Sequence, residues 1–187
     1  MEPHAFRTVF LDHPTAGIEG RFEAGDVRQV ERNSGRLVVE SLDHRRTFTG
    51  WAKYRRWSDL DALYFFGYAL CTYFSIPFIL PRLEYAGHRT ARVSGQDCTG
   101  VTVSFPKSFP THCRRQTFYF DETGLLRRHD YVADIVGVWA SGAHFSDDYV
   151  EVGGLQFARR RYVQARLFGR VTPVPVLAAR LGEFQAG

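Results

Sequence analysis

Short runs of β-prone residues, separated by turn-forming residues, fill the first 50 positions of the chain. Asn33-Ser34-Gly35 is a favourable hairpin turn, because Asn and Gly tolerate positive φ. Another turn signal stands at Gly25-Asp26, and Asp-His-Pro follows the first run. The pattern predicts strands at Phe6–Leu11, Gly20–Glu23, Val27–Glu31 and Arg36–Glu40.

A long apolar segment interrupts this pattern. Ser58 is a plausible helix N-cap, with Asp61 in the position of a capping-box carboxylate. The following residues, Ala62–Pro81, include no charged residue and are long enough to span a bilayer. They also include a glycine, two prolines and several hydroxyls, which favour a deeply buried helix instead. We therefore predict a helix from about Asp59 to Ser75, ended by Pro77.

From position 99 onward, consecutive hairpins predict an antiparallel meander. The predicted strands are Val101–Phe105, Gln116–Phe120, Leu125–Ile135, Ala143–Val152 and Leu155–Leu167. No repeat or linker divides the chain, so we expect a single domain over residues 1–187. The predicted fold is α+β: a curved antiparallel sheet of about seven to ten strands, forming an incomplete barrel wrapped over one long apolar helix.

Composition narrows the class of protein. Hydrophobic residues make up 44% and charged residues 24% of 187 positions, which excludes a disordered chain. Aromatic residues reach 15%, which favours strands and a sizeable apolar interior. The net charge is +4. The basic residues are almost all arginines and are spread along the chain among carboxylates, so we expect no nucleic-acid partner.

The cysteines and the N-terminus point to a reducing compartment. Three cysteines form no CxxC pair, which argues against disulfides and against a cysteine-based zinc site. The first residues lack the pattern of a secretory signal. We therefore expect a cytoplasmic bacterial protein. Nucleotide-binding motifs and compact metal-ligand spacings do not occur, so we expect no cofactor and no metal.

The C-terminal half resembles the lipoprotein-carrier (LolA-like) family. The residues that carry the resemblance are Phe118–Asp121 with Gly124–Arg128, then Ser146–Val152 with Gly153–Phe157. The resemblance implies a curved antiparallel sheet over helices and a hydrophobic cavity between them for a greasy ligand. The chain differs from secreted carriers because it shows no signal peptide.

Candidate catalytic residues fall on two successive predicted strands. Alternation places His129 and Tyr131 on one strand face, where they could act as general base and hydrogen-bond donor. His144 would lie close to His129 if the next strand is antiparallel, and Asp147 could then complete a weak metal-site pattern. The alternative is that these side chains are half-buried core residues, as buried Tyr and His usually are. Cys113, between His112 and two arginines, would have a lowered pKa if those charges lie close.

Aromatic residues are the stronger hint of a binding site. Tyr64, Tyr68 and Cys71 have helical spacing on one side of the predicted helix and could face a cavity. The predicted ligand-binding residues are Tyr64, Phe65, Tyr68, Cys71, Phe118 and Trp139.

These observations favour a protein that binds a small hydrophobic molecule without stable membrane insertion. The main interpretation is a cofactor-free cyclase or isomerase of secondary metabolism, since shape-driven reactions need only a preorganised cavity and one or two proton-handling groups. The first alternative is a non-catalytic lipid or isoprenoid carrier or sensor. The second is a small membrane protein anchored by residues 62–81.

Overall fold

Eleven β-strands and one α-helix are present in the computed structural model, which describes residues 6–109, 111 and 113–182. All strand pairs within the sheets are antiparallel, and neither sheet closes into a barrel. The predicted α+β class, with a single α-helix, is confirmed. The strands fall into two compact units, residues 1–82 with 106–112 and residues 83–105 with 113–187. The assignment of residues 1–187 to one domain stays a prediction.

The first unit has a four-stranded meander in chain order. Its strands are β1 (Arg7–Leu11), β2 (Ile18–Glu23), β3 (Asp26–Glu31) and β4 (Leu37–Ser41). The predicted hairpin turn before β4 is confirmed. Gly35 has a φ of 69°, and its N–H donates to the carbonyl of Glu31 at 2.8 Å.

The helix α1 (Asp59–Ile79) begins where the sequence predicts. Ser58 and Asp61 form the predicted capping box, with the Asp61 N–H donating to Ser58 Oγ at 3.2 Å. The predicted end at Ser75 is wrong, because the helix continues through Pro77. Pro77 lies in the last turn and removes only one backbone hydrogen bond. The helical hydrogen bonding continues beyond it, because the Leu80 N–H donates to the Ile76 carbonyl. Short 3₁₀ turns precede and follow α1, at His44–Thr47, Gly50–Tyr54 and Leu80–Arg82.

One buried carboxylate holds the start of α1. Asp61 is fully buried and accepts two hydrogen bonds from the Arg55 guanidinium, both at 2.9 Å. The His44 ring nitrogen Nε2 lies 3.0 Å from the same carboxylate. Burial alone would raise the pKa of Asp61, but bonds from Ser58 and His44 and the charge of Arg55 lower it overall.

Only one side of α1 is buried, which corrects the prediction of a helix buried all round. Leu63, Gly67 and Ile76 are buried, and within the first unit α1 contacts β1, β2 and β3. Phe66, Phe74 and Phe78 are exposed. By length and composition the segment Asp59–Arg82 could also cross a membrane, a test that a core helix passes too.

The second unit is a seven-stranded sheet in the order β11-β10-β9-β8-β7-β6-β5. Its strands are β5 (Glu84–Val93), β6 (Gln96–Ser104), β7 (Arg115–Asp121), β8 (Leu126–Val132), β9 (Ser141–Val152), β10 (Leu155–Leu167) and β11 (Arg170–Arg180).

The sequence missed the two edge strands of this sheet, β5 and β11. Most side chains of both strands are exposed, so neither shows alternation of apolar and polar residues. β11 also contains Pro173 and Pro175, which argue against a central strand but are tolerated at an edge. The pairing of β10 with β11 is irregular on both sides of Gln164, whose partner is Pro175.

Replacing Gly67 by alanine tests the contact between α1 and β2. An added Cβ would lie 2.4 Å from Cβ and Cγ of the fully buried Phe22. Gly→Ala in a helix ordinarily stabilises by about 1 kcal/mol. Here we expect destabilisation of about 1–3 kcal/mol, because the core must shift to accept the methyl group. Urea unfolding measures the change.

Gly182→Ala is the matched control, since a Cβ there meets nothing within 4 Å. Equal or increased stability of Gly67→Ala would contradict the close approach of α1 to Phe22.

Candidate functional site

His129 lies at the centre of a layer of rings on the seven-stranded sheet. It pairs with Phe118 on β7 and with His144 on β9, so the prediction that His144 lies near His129 is confirmed. The His129 ring stacks on Phe118 with centroids 4.3 Å apart and planes inclined by 9°. The centroids of the Tyr131 and His144 rings lie 4.9 and 6.4 Å from the centroid of the His129 ring. Antiparallel register therefore brings the three predicted catalytic side chains together.

Burial keeps this histidine pair neutral. Nε2 of His129 is hydrogen bonded to Oε1 of Gln116, which is itself buried. Burial, reinforced by the charge of Arg161, lowers the pKa of His129 to about 3. Burial and the charges of Arg161 and His129 also lower the pKa of His144 well below its ordinary value. At neutral pH both rings are therefore uncharged and weakly basic, which is unsuitable for general base catalysis.

Neither histidine lines either of two clefts in the second unit, one along β10 and β11 and one around Asp130. Asp147, the carboxylate considered for a metal site, lies three residues from His144 and thus on the opposite strand face. It accepts two hydrogen bonds from Arg160, at 2.5 and 2.8 Å. The two histidines and this carboxylate do not converge.

The predicted ligand-binding residues of α1 pack within the first unit. Tyr64 contacts the rings of Phe22, His44 and Phe48 at centroid distances of 5.5 to 5.9 Å. Tyr68 and Cys71 are buried as well, and Phe65 is half-buried against Trp57. Cys71 Sγ lies 3.2 Å from Thr8 Oγ1. These side chains form the interior of the helix–sheet layer.

The other predicted binding residues lie in the second unit. Phe118 is buried beneath His129, whereas Trp139 is 64% exposed in the connection between β8 and β9. The indole of Trp139 lies so close to Gly137 that a Cβ there would be 2.4 Å from its Nε1.

Cys113 differs from the expected reactive thiol. Burial raises its pKa, against weaker opposing hydrogen bonds from the backbone of Val132 and Arg115. The Val132 N–H donates to Cys113 Sγ at 3.2 Å. His112, the neighbour invoked in the sequence analysis, lies outside the described residues.

The cleft along the paired strands β10 and β11 has the character of a ligand site. Its volume is about 470 Å³. Apolar and arginine residues both line it: Arg160, Arg161, Tyr162, Pro175, Ala178, Ala179 and Arg180. The sequence did not predict this cleft, because about half of its lining residues belong to β11. The prolines of β11 argued against a strand there. Register places Arg160 opposite Arg180 and Tyr162 opposite Ala178.

Tyr162 gives the β10–β11 cleft a rigid floor. Its ring stacks on Phe145 of β9 with centroids 4.9 Å apart and planes inclined by 9°. Phe145 belongs to the buried cluster of this sheet, with Tyr119, Ala143 and Val93. The aromatic floor is therefore anchored in the sheet core, while the arginines of the rim reach outward.

No family model and no curated protein matches this sequence. Two solved structures are similar. One is a DUF1329 family protein from Desulfovibrio piger, with 14% identity and a TM-score of 0.46 over 80% of this chain. The other is a putative outer membrane lipoprotein-sorting protein domain from Vibrio parahaemolyticus, with 9% identity and a TM-score of 0.45 over 81%. The chain spans 59% of the length of each. These matches are consistent with the LolA-like fold named in the sequence analysis.

The main functional prediction, a cofactor-free cyclase or isomerase of secondary metabolism, is corrected. One similar structure is described as a lipoprotein-sorting domain, and neither is described as a cyclase or isomerase. The sealed and neutral state of His129 and His144 agrees with the correction. Acid–base roles for these residues and Tyr131 depended on the enzyme interpretation and are not carried further.

The buried histidine pair predicts a pH dependence of stability. His129 binds a proton in the unfolded chain below about pH 6.5 but in the folded chain only near its pKa of about 3. Its stabilising contribution is therefore complete above pH 6.5 and is lost as the pH falls toward 3. Near pH 5, His129→Gln should reduce the slope of the unfolding free energy against pH by about 1.4 kcal/mol per unit.

Urea titrations between pH 4.5 and 7 measure this slope. His88→Gln is the control, because it replaces a histidine that is exposed to solvent. If His129→Gln leaves the slope of the unfolding free energy against pH unchanged, that result would contradict a buried, neutral His129 ring.

Proposed function

We propose that this protein binds a small amphiphile, an apolar lipid or isoprenoid chain with an anionic group, and carries or senses it without chemical change. The observation that carries the proposal is the β10–β11 cleft, where apolar residues and guanidinium groups line the same space. Its volume of about 470 Å³ lies within the range of small-molecule sites, roughly 300–1,000 Å³.

The apolar part of the cleft suits a hydrocarbon chain. Tyr162 provides an aromatic face, and Pro175 with Ala178 and Ala179 adds small apolar side chains that leave room beside it. Pro175 and Ala178 are exposed to solvent, so a bound chain would remove their apolar surface from water. Such burial contributes roughly 25 cal/mol per Å².

The rim of the cleft favours a negative group. Arg160 and Arg180 are mostly exposed, with 65% and 79% of their side-chain surfaces accessible. Each is paired with one carboxylate, Arg160 with Asp147 at 2.5 Å and Arg180 with Asp148 at 3.7 Å. The third arginine of the lining, Arg161, is buried and donates a hydrogen bond to the Ser146 hydroxyl at 3.1 Å. The two exposed guanidinium groups at the rim are therefore accessible to an anionic group of a ligand.

The lining also supports transport or sensing over catalysis. Among the described residues that line the β10–β11 cleft, none is a histidine, cysteine, aspartate or glutamate. Arginine stays protonated and cannot exchange protons at neutral pH. The only other functional group in the lining is the phenol of Tyr162. A ligand can therefore be held by its shape and charge and released unchanged.

Calorimetric titration with decanoate and decanol tests the proposal. The native protein should bind decanoate, and more weakly decanol, because only decanoate pairs with the guanidinium rim. Ala178→Glu places a carboxylate inside the cleft and should weaken decanoate binding about tenfold or more, by repulsion and lost apolar contact. Val176→Glu, at an exposed position of the same strand outside the lining, is the matched control and should bind as the native protein does.

Two results would contradict the proposal. In the first, the native protein binds neither probe, or Ala178→Glu and Val176→Glu bind decanoate equally. In the second, mass spectrometry of ligand extracted from the purified protein shows chemical conversion during incubation, which would restore an enzymatic function.

A further inference from the structure

A second cleft in the seven-stranded sheet, of about 280 Å³, is lined mainly by polar side chains. Three of them are arginines from three different strands: Arg89 of β5, Arg115 of β7 and Arg166 of β10. One carboxylate, Asp130, lies among them, and the lining also includes Thr102, Thr117, Tyr131 and Val132. It shares no lining residue with the β10–β11 cleft.

Asp130 does not neutralise all of these arginines, because a further arginine, Arg128, shares its single negative charge with them. Arg128 donates two hydrogen bonds to the buried Asp130 carboxylate, at 2.6 and 2.8 Å. The Tyr119 hydroxyl donates a third at 3.2 Å. Arg166 and Arg89 approach the same carboxylate at only 3.3 and 3.6 Å. Three guanidinium groups thus share one negative charge, and Arg115 adds a further positive charge to the lining, which leaves the cleft strongly positive.

The cleft also contains hydrogen-bond donors that have no acceptor among the described residues. Within the described part of the chain, the Arg115 guanidinium makes no hydrogen bond or ion pair. Nε of Arg166 is buried and likewise finds no hydrogen-bond acceptor there. Thr102 and Thr117 hydroxyls lie 2.9 Å apart, and one bond between them uses one of their two protons. The second hydroxyl proton is therefore available to a ligand.

We propose that this arginine cleft binds a phosphate group. Donors from three strands converge on one volume, and an unpaired guanidinium favours a charged acceptor. A carboxylate offers two oxygens, whereas a phosphate monoester offers three terminal oxygens and up to two negative charges, which matches three arginines and a threonine hydroxyl better. The phosphate can belong to a free ion or to the headgroup of an amphiphile.

Calorimetry in low-salt buffer tests this site with inorganic phosphate, hexyl phosphate and acetate as probes. The native protein should bind phosphate, and Arg115→Gln should bind it about tenfold more weakly, because one charge-assisted contact is lost. Arg115 is exposed and unpaired in the described structure, so this substitution leaves the fold intact. Arg92→Gln removes an equal charge from β5 outside the cleft and should bind as the native protein does. Added salt should weaken binding.

The probes separate the two phosphate sources. Hexyl phosphate binding at least about tenfold tighter than inorganic phosphate identifies an amphiphile headgroup, and equal affinities identify a free ion; either supports the site. Three results would overturn it: no phosphate binding, acetate binding as tight as phosphate, or equal loss in Arg115→Gln and Arg92→Gln. Ala178→Glu should leave phosphate binding unchanged, so failure here and failure in the β10–β11 cleft are distinguishable.

Discussion

The buried carboxylate of Asp130, together with the arginines and the tyrosine that compensate its charge, organises the seven-stranded sheet. Asp130 is almost fully buried, and an uncompensated charge there would cost several kcal/mol. Arg128 satisfies it with two hydrogen bonds, while Tyr119, Arg89 and Arg166 reach it from β7, β5 and β10. One anion therefore ties four strands together. It also gathers more positive charge than it neutralises, which gives that face of the sheet its polar character.

The first unit uses the same physical solution at the start of its helix. Asp61 is fully buried and collects donors from Arg55, Ser58 and a ring nitrogen of His44, so two 3₁₀ turns and α1 meet at one carboxylate. Burial lowers the pKa of His44, although Asp61 opposes this effect. In both units a buried acid holds several segments together, because losing one partner would leave a buried charge incompletely compensated.

The proposed function depends on which polar groups are buried and which are accessible to a ligand. His129 and His144 have the chemistry of a catalytic pair, but both are buried and neutral, and His129 is stacked on Phe118. The arginines, which cannot act as bases at neutral pH, line the two clefts. The proposed binding of an anionic amphiphile depends on this combination of positive charge and apolar surface.

The sequence alone determined what depends on neighbouring residues: the capping box of Ser58 and Asp61, the turn at Gly35, the central strands, and the shared face of His129 and Tyr131. These features follow from local hydrogen bonds and from side-chain periodicity, which a linear pattern records. The tertiary structure decided the edge strands β5 and β11, the buried side of α1 and both clefts. An edge strand is specified by its partner more than by its own residues, and a uniformly apolar helix carries no signal of orientation. The arginines converge only through strand register, which joins positions far apart in the chain and therefore has no counterpart in local sequence.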